Sequence, residues 1–250
     1  IFYILILVYL IILFLTNERA NAIKGTLIIF FSYLFMIEIK TKEKILFLIV
    51  LISLVSSLVT FNKTINQRFL AEIKGLYVDD KVWSIEQRER TGDKGSDWDK
   101  NKLINYIKYS KYGSHYLTGL EIFKQKPLLG SGIKTFREAC YFTDIKKYYE
   151  KDSDLYKYRC TTHPHQVHIE WLSELGLIGY SLFIILFIYL FIKSSKIYFL
   201  HKNTNILCPI FFITCQYLPL LPSGSFFTNF GAIIFWINVG ILYTEIIKHE

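Results

Sequence analysis

The chain has 250 residues, of which 52% are hydrophobic, 17% aromatic and only 20% charged, with a formal net charge of +8 and a mean hydropathy of +0.30. A soluble domain carries about 25% charged residues, whereas the apolar residues here stand in long runs free of Lys, Arg, Asp and Glu. Most basic residues share one segment with most acidic residues, and no arginine-rich run accompanies them. The composition therefore excludes a soluble globular enzyme, a disordered chain and a nucleic-acid-binding module.

Six apolar segments are predicted to be membrane-spanning helices. They lie at residues 1–15, 22–37, 45–61, 175–192, 206–221 and 226–247. Helices are expected because a backbone in lipid must satisfy its own hydrogen bonds, and the runs lack the alternation of barrel strands. The first residue stands inside an apolar run without a Met, so the chain is expected to be the C-terminal portion of a longer protein. The predicted fold class is an all-α polytopic membrane protein.

The basic residues of the short loops predict the orientation of these spans. If the chain crosses the membrane six times, these basic residues all lie on the same side of the membrane. They are Lys40, Lys42, Lys44, Lys193, Lys196, Lys202 and Lys248. The positive-inside rule makes this face cytoplasmic. Residues 16–21, 63–172 and 219–229 are then expected together on the outer face.

A histidine-rich segment lies where the long outer loop re-enters the membrane. Three histidines and two glutamates stand within twelve residues: His163, His165, His168, Glu170 and Glu174. Histidine is the side chain best suited to take a proton from a hydroxyl near neutral pH, and either carboxylate is expected to fix its tautomer. The alternative is that these side chains only solvate a helix end. A zinc site formed with Cys160 is a second alternative, although the spacing matches no closed zinc pattern.

His165 and Gln166 are followed by nine residues and then by Gly176-Leu-Ile-Gly179. This pattern resembles the signature of the O-antigen ligase family, in which His precedes Asn, Ser or Gln, nine residues and Gly-x-x-Gly. Three further segments resemble elements of that family in the same order: Thr16-Asn-Glu-Arg19-Ala20, Lys126-Pro-Leu-Leu-Gly130-Ser-Gly132 and Pro219 to Phe226. The resemblance extends from the first of these segments to the last span.

The resemblance implies a helical glycosyltransferase bundle of the GT-C type in the bacterial inner membrane, with its active site facing the periplasm. Residues 1–62 and 173–250 are expected to hold three spans each, and residues 63–172 a large periplasmic loop domain that ends in the histidine motif. The implied reaction moves a glycan from undecaprenyl diphosphate to a sugar hydroxyl of lipid A core, without a metal or another cofactor. The expected partners are the lipid-linked donor, a lipid-linked sugar acceptor and membrane lipids, with no nucleic acid.

The resemblance also assigns roles to two residues. His165 is expected to be the general base that deprotonates the acceptor hydroxyl. Arg19 is expected to hold the donor diphosphate, because a guanidinium binds phosphate oxygens bidentately. The alternative for Arg19 is an interfacial side chain that only anchors its helix.

One element of the family pattern is missing. A second diphosphate-binding arginine normally precedes the Pro-Leu-Leu-Gly element, but residues 108–116 contain none. The candidates for its place are Lys111, His115, Arg137 and Arg159. The predicted substrate-binding group is Lys111, His115, Arg137, His163 and Glu174.

Cys140 and Cys160 are predicted to form a disulfide. Both lie in the outer loop, where disulfides persist, and the other two cysteines lie in a predicted span. Such a bridge would close the segment that leads into the histidine motif. Two free thiols are the alternative.

Three other functions are alternatives to glycan transfer by a ligase. An O-antigen polymerase of the same superfamily would use the same chemistry with a different acceptor. A polyprenyl-lipid transporter should place ionisable residues at mid-membrane, whereas the candidate residues here lie at one face. A structural or receptor protein would lose no activity when His165 is changed.

Overall fold

The computed structural model describes residues 2–16, 18–66, 110–219 and 221–249. Residues 67–109, which include the first part of the predicted loop domain, lie outside the described residues. The helices are α1 (Phe2–Leu15), α2 (Arg19–Phe35), α3 (Thr41–Phe61), α4 (Lys111–Gln125), α5 (Phe136–Phe142), α6 (Asp154–Lys157), α7 (Val167–His201), α8 (Leu207–Gln216) and α9 (Asn229–Lys248). The described ranges contain no strand, and the predicted all-α class is confirmed.

Three helices, α3, α7 and α9, are long and apolar enough to cross a membrane. Their large apolar side chains are widely exposed, for example Leu182 at 64%, which is the pattern of helices that face lipid. The helices α1, α2 and α8 have 14, 17 and 10 residues, short of the roughly 20 that an untilted span needs. The fold is therefore an all-α polytopic membrane protein, in which three of the six predicted spans are full-length helices among the described residues.

The described residues fall into two compact units. Unit 1 comprises the described residues within Ile1–Lys74, Phe187–Leu218 and Ile233–Glu250. Unit 2 comprises the described residues within Gly75–Leu186 and Pro219–Ala232. Both α7 and α9 are divided between the units, so this grouping follows packing instead of the order of spans. The predicted division at residues 62 and 172 is one of membrane topology and stays a prediction.

Unit 1 is held together by close contacts between its apolar helices. The ring of Phe211 on α8 stacks on Phe31 of α2 with 5.5 Å between centroids, and its centroid lies 5.6 Å from that of Phe35. Helices α1 and α2 approach closely at Gly25, where a Cβ would collide with Cδ1 of Leu13. Apolar packing of this kind orders α2, the helix that begins with Arg19.

Polar contacts gather the ends of several unit 1 helices at one place. Oγ1 of Thr204, just after α7, donates to Oε1 of Glu38 between α2 and α3 at 3.0 Å. Nδ2 of Asn203 donates to Oε2 of Glu245 near the end of α9 at 2.5 Å. The short basic loops predicted to share a face therefore lie at the same end of unit 1. The side of the membrane that this end faces stays a prediction.

Unit 2 contains a disulfide between Cys140 of α5 and Cys160, whose Cα atoms are 5.3 Å apart. Cys140 is fully buried beside Ile122 of α4 and Phe136 of α5. The segment that leads into the histidine motif is thereby tied to the α4–α5 core, three residues before His163.

Candidate functional site

His165 lies two residues before α7, in a left-handed backbone conformation that is uncommon for a residue other than glycine. Its φ is +55°, and its carbonyl oxygen accepts a hydrogen bond from the N–H of Ser223 at 2.9 Å. Gln166 then caps α7, because its Oε1 accepts from the N–H of Ile169 at 3.0 Å and its carbonyl accepts from the N–H of Glu170 at 2.9 Å. The His-Gln pair is therefore a turn residue followed by a helix cap, which fixes the backbone that carries the imidazole.

The ring of His165 lies in a group of four rings, which we term the histidine cluster: Tyr112, His115, His163 and His165. The centroid of the His165 ring is 4.2 Å from that of His163. The rings of His115 and Tyr112, both on α4, lie 5.2 Å and 5.5 Å from it. The fold thus brings α4 to the motif although about 50 residues separate them in the sequence.

A glycine allows α4 to approach the start of α7. A Cβ at Gly119 would collide with Cγ2 of Ile169 and would lie 3.6 Å from Cβ of Pro164. His115 stands four residues before Gly119, so the two share one face of α4. The close approach at Gly119 therefore carries His115 to His165.

Both motif histidines are half-buried, and this partial loss of solvation makes them weak bases. It is the main cause that lowers the pKa of His165 to about 4, and repulsion from His163 and His115 lowers it further. Burial also lowers the pKa of His163. Both imidazoles are therefore unprotonated at pH 7 and can accept a proton or a hydrogen bond.

Nε2 of His163 and Oγ of Ser223 are buried and make no side-chain hydrogen bond to any described residue, although the His163 ring also interacts with the backbone of Ser223. Buried polar atoms in proteins are nearly always paired. Both atoms have hydrogen-bonding capacity for a bound molecule.

The buried carboxylate of Glu170 holds the loop that follows α8. Its Oε2 accepts from the N–H of Phe226 at 2.8 Å, and its Oε1 accepts from the hydroxyl of Ser225. Because the N–H of Ser223 also donates to the carbonyl of His165, this loop is fixed at two points beside the histidine cluster.

The buried carboxylate of Glu174 holds a different segment. Its Oε2 accepts from the N–H of Lys134 at 2.7 Å, and its Oε1 accepts from the N–H of Phe136 at 3.1 Å. The described hydrogen bonds of Glu170 and Glu174 all go to loop groups, and the expectation that one of these carboxylates fixes a histidine tautomer stays a prediction. The assignment of Glu174 to the substrate-binding group stays a prediction.

Helix α7 is interrupted at Gly176, whose φ and ψ are +66° and −169°. Residues 127–132, which we term the glycine turn, insert at this break. Four hydrogen bonds join the two segments: Leu177 N–H to Pro127 O at 2.8 Å, Ile178 N–H to Leu128 O at 3.2 Å, Ser131 N–H to Ser173 O at 2.9 Å and Gly132 N–H to Glu174 O at 2.9 Å. A continuous helix would make only two bonds with the same groups, from residues 177 and 178 to the carbonyls four residues earlier.

Two glycines face each other across this junction. A Cβ at Gly176 would lie 2.5 Å from N of Gly130, and a Cβ at Gly130 would lie 2.6 Å from N of Gly176. Both residues also have positive φ, a conformation that costs a residue with a side chain about 1–2 kcal/mol. The Pro-Leu-Leu-Gly and Gly-x-x-Gly elements of the sequence are thus the two sides of one junction.

The comparison with family models decides the family. The model described as O-antigen ligase matches residues 4–184, which is more than half of the chain. The chain belongs to the O-antigen ligase family. Membership indicates a membrane protein of the O-antigen ligase and polymerase superfamily that acts on lipid-linked glycans. The comparison with curated proteins gives no match.

In this O-antigen ligase family member, the predicted cationic residues belong to different elements of the chain. Arg19 is the half-buried first residue of α2 in unit 1, and Lys111 is the first residue of α4, with its side chain outside the described part of the structure. Arg137 is exposed on α5, and no described contact joins it to the histidine cluster. Nη1 of Arg159 donates to the carbonyl of Tyr156 at 3.0 Å, and its guanidinium covers that ring. Among the predicted substrate-binding residues, the structure brings only His115 and His163 to His165 within its described contacts.

The zinc alternative is not supported in this ligase family member. Cys160 is engaged in the disulfide. The ring of His168 packs against Trp171 and Tyr180, at centroid distances of 5.6 Å and 5.9 Å. Among the residues that the structure describes, no group of three His, Cys, Asp or Glu side chains could hold a metal ion.

Sequence reasoning did not identify Tyr112 or Ser223 as site residues. Tyr112 stands three residues before His115 on α4, so a helical reading places both on one face. Ser223 lies in the Pro219 to Phe226 segment that resembles a family element, but nothing in its sequence indicates contact with His165.

Proposed function

We propose that this O-antigen ligase family member transfers a glycan from undecaprenyl diphosphate to a sugar hydroxyl of lipid A core, at the periplasmic face of the bacterial inner membrane. His165 is the general base and Arg19 holds the diphosphate. The observation that carries the proposal is the histidine cluster. It presents an imidazole that is unprotonated at neutral pH on a backbone fixed by Ser223 and Gln166.

The proposed reaction needs a proton acceptor at the sugar hydroxyl. The acceptor oxygen attacks the anomeric carbon of the donor glycan, and the bond from that carbon to the diphosphate oxygen breaks with its electron pair on the diphosphate. The hydroxyl proton passes to the His165 imidazole. A pKa near 4 in the free protein leaves His165 unprotonated, and the negative charge that develops on the diphosphate raises its basicity as the reaction proceeds.

The proposed role of Arg19 is supported by its place at the beginning of a helix. The first N–H groups of a helix and its dipole favour an anion at this end. Glu18 at the cap position makes no side-chain hydrogen bond to these groups. A guanidinium there binds phosphate oxygens bidentately and stays charged beside lipid.

Replacement of His165 tests the proposal. His165→Ala should abolish transfer by purified protein supplied with undecaprenyl-diphosphate-linked glycan and bare lipid A core. His201→Ala is the control, since His201 lies at the far end of α7, 36 residues along the chain, and should leave the rate unchanged. Transfer at the wild-type rate by His165→Ala would refute the role of general base.

Profiles of lipopolysaccharide from a deletion strain separate ligase from polymerase. Accumulated undecaprenyl-linked polymer with bare core indicates a ligase, and core that carries one repeat indicates a polymerase.

Replacement of Arg19 tests the diphosphate site in the transfer assay with purified protein. Arg19→Lys should weaken binding of the undecaprenyl-diphosphate-linked donor, because a point charge replaces a bidentate fork. Unaltered donor affinity in Arg19→Lys would mean that Arg19 is only an interfacial anchor.

A further inference from the structure

We propose that Tyr112, His163 and Ser223 form the subsite that binds the acceptor sugar next to His165. This assignment rests on the proposed glycan transfer and makes it more specific, because it separates the acceptor site from the diphosphate site. The ligand class is an uncharged sugar with free hydroxyl groups.

Ser223 supplies a buried hydroxyl beside the proposed base. The residue is only 9% exposed, and its Oγ makes no hydrogen bond to any described residue. Its own N–H donates to the carbonyl of His165 at 2.9 Å, and Glu170 accepts hydrogen bonds from the loop two and three residues further on. A buried hydroxyl without a hydrogen bond is unfavourable. The Ser223 loop is fixed at two points beside His165, so this hydroxyl is well placed to bind a ligand.

His163 supplies a second polar atom in the same place. Its ring centroid is 4.2 Å from that of His165, and its Nδ1 lies 3.0 Å from Oγ1 of Thr162. Its Nε2 is buried and has no hydrogen bond to a described residue. The His163 ring also interacts with the backbone of Ser223, which partly offsets the lowering of its pKa, so the ring and the Ser223 loop lie against each other and a sugar hydroxyl, which can both donate and accept, can bind to both.

The charge of the cluster favours a sugar over a diphosphate. Burial keeps the imidazoles of His163 and His165 neutral at pH 7, and a serine hydroxyl carries no charge. A diphosphate is bound by cations such as arginine, whereas neutral donors and acceptors suit sugar hydroxyls. The histidine cluster therefore fits the acceptor better than the donor diphosphate.

Tyr112 adds an aromatic surface to this polar group. Its side chain is 40% exposed, and its ring meets that of His165 edge to face with 5.5 Å between centroids. An exposed tyrosine offers an apolar face and a hydroxyl at low conformational cost. The face can cover the C–H side of a sugar ring while the hydroxyl-bearing side meets His163 and Ser223.

The test compares two serines that share the same chemistry. Ser194 on α7 is buried, and its Oγ also has no hydrogen bond to a described residue. Ser223→Ala and Ser194→Ala each remove one such hydroxyl and no known bond, so neither should lower the Tm. Ser223→Ala should raise the KM for bare lipid A core about three- to tenfold, as expected for one lost hydrogen bond, with the KM for undecaprenyl-diphosphate-linked glycan unchanged. Ser194→Ala should change neither KM.

Tyr112 provides an independent variant pair. Tyr112→Ala should raise the KM for bare lipid A core, and Tyr112→Phe should restore most of the affinity, because it keeps the aromatic face. An unchanged acceptor KM in both Ser223→Ala and Tyr112→Ala would overturn the subsite. A rise in the donor KM alone would overturn it as well and would place the diphosphate at the cluster.

The failure of the subsite can be told apart from the failure of the proposed function. Activity of His165→Ala at the wild-type rate refutes the glycan-transfer mechanism. Loss of activity in His165→Ala, together with unchanged acceptor KM in the Ser223 and Tyr112 variants, refutes only the subsite.

Discussion

At the scale of single residues, His165 is constrained by both its backbone and its surroundings. A φ of +55° costs a residue with a side chain about 1–2 kcal/mol. The N–H of Ser223 and the cap made by Gln166 hold the chain in this conformation. Backbone strain of this kind collects at functional sites, where surrounding structure determines it. The same burial that crowds the imidazole keeps it unprotonated.

The depressed pKa of His165 predicts a pH dependence of stability. Its folded value is about 4 and its ordinary value is 6.5, so the unfolded protein takes up a proton first as the pH falls. Between pH 6.5 and 4 the unfolded state therefore binds more protons, and the free energy of unfolding decreases as the pH falls through this window. His165→Gln removes this contribution. Its Tm in detergent should therefore fall less between pH 7 and pH 5 than the Tm of the wild type. Equal losses in both proteins would contradict the prediction.

At the scale of secondary structure, the glycine turn and the break in α7 depend on each other. Four backbone hydrogen bonds join them, and the two glycines leave no room for a Cβ on either side. Glu174 adds bonds to the backbone just after the turn. The junction lies eleven residues after His165 and sets the place where the apolar part of α7 begins.

Gly176→Ala should therefore disrupt this junction. The added Cβ would lie 2.5 Å from N of Gly130, and alanine does not favour the positive φ. We expect a loss of at least about 2 kcal/mol in the free energy of unfolding, from the strained φ and the broken hydrogen bonds. Gly240→Ala is the matched control, since a Cβ there has open space within helix α9 and alanine should stabilise the helix by up to about 1 kcal/mol. Urea unfolding of both variants in detergent checks the difference, and equal stability would contradict the role of the junction.

Local patterns in the sequence predict the helices and the histidine motif, but the contacts at the site depend on distant parts of the chain. Long charge-free runs identify α3, α7 and α9, because lipid requires such runs. The apolar run that ends in Ile192 predicts a helix that begins at residue 175, whereas α7 begins at Val167. The additional first turns of α7 are polar and are capped by Gln166, and hydropathy does not detect a polar helical turn. Tyr112 and Ser223 reach His165 from segments about 50 residues away on either side, through packing at Gly119 and the clamp at Glu170. Helical periodicity places Tyr112 on the face of His115 but does not indicate its contact with His165, and the contact of Ser223 has no periodic or compositional signal.

At the scale of the whole molecule, the positions of the lysines predict a single orientation in the membrane. The contacts of Asn203 with Glu245 and of Thr204 with Glu38 place the short basic loops at one end of unit 1. Positive residues in short loops stay on the cytoplasmic side. With six spans, the predicted topology puts the loop that holds Gly224 on the periplasmic side.

Cysteine labelling tests this orientation directly. In a background of Cys208→Ser and Cys215→Ser, the remaining cysteines of the chain are paired in the disulfide, so a newly introduced thiol is the reactive one. Gly224 is exposed with open space around it, and Lys40 is exposed between α2 and α3. Gly224→Cys should react with a membrane-impermeant maleimide in intact spheroplasts, whereas Lys40→Cys should react only after lysis, because its basic loop is retained inside. Labelling of Lys40→Cys in intact spheroplasts would reverse the orientation and would put the histidine cluster on the cytoplasmic side, away from a periplasmic acceptor.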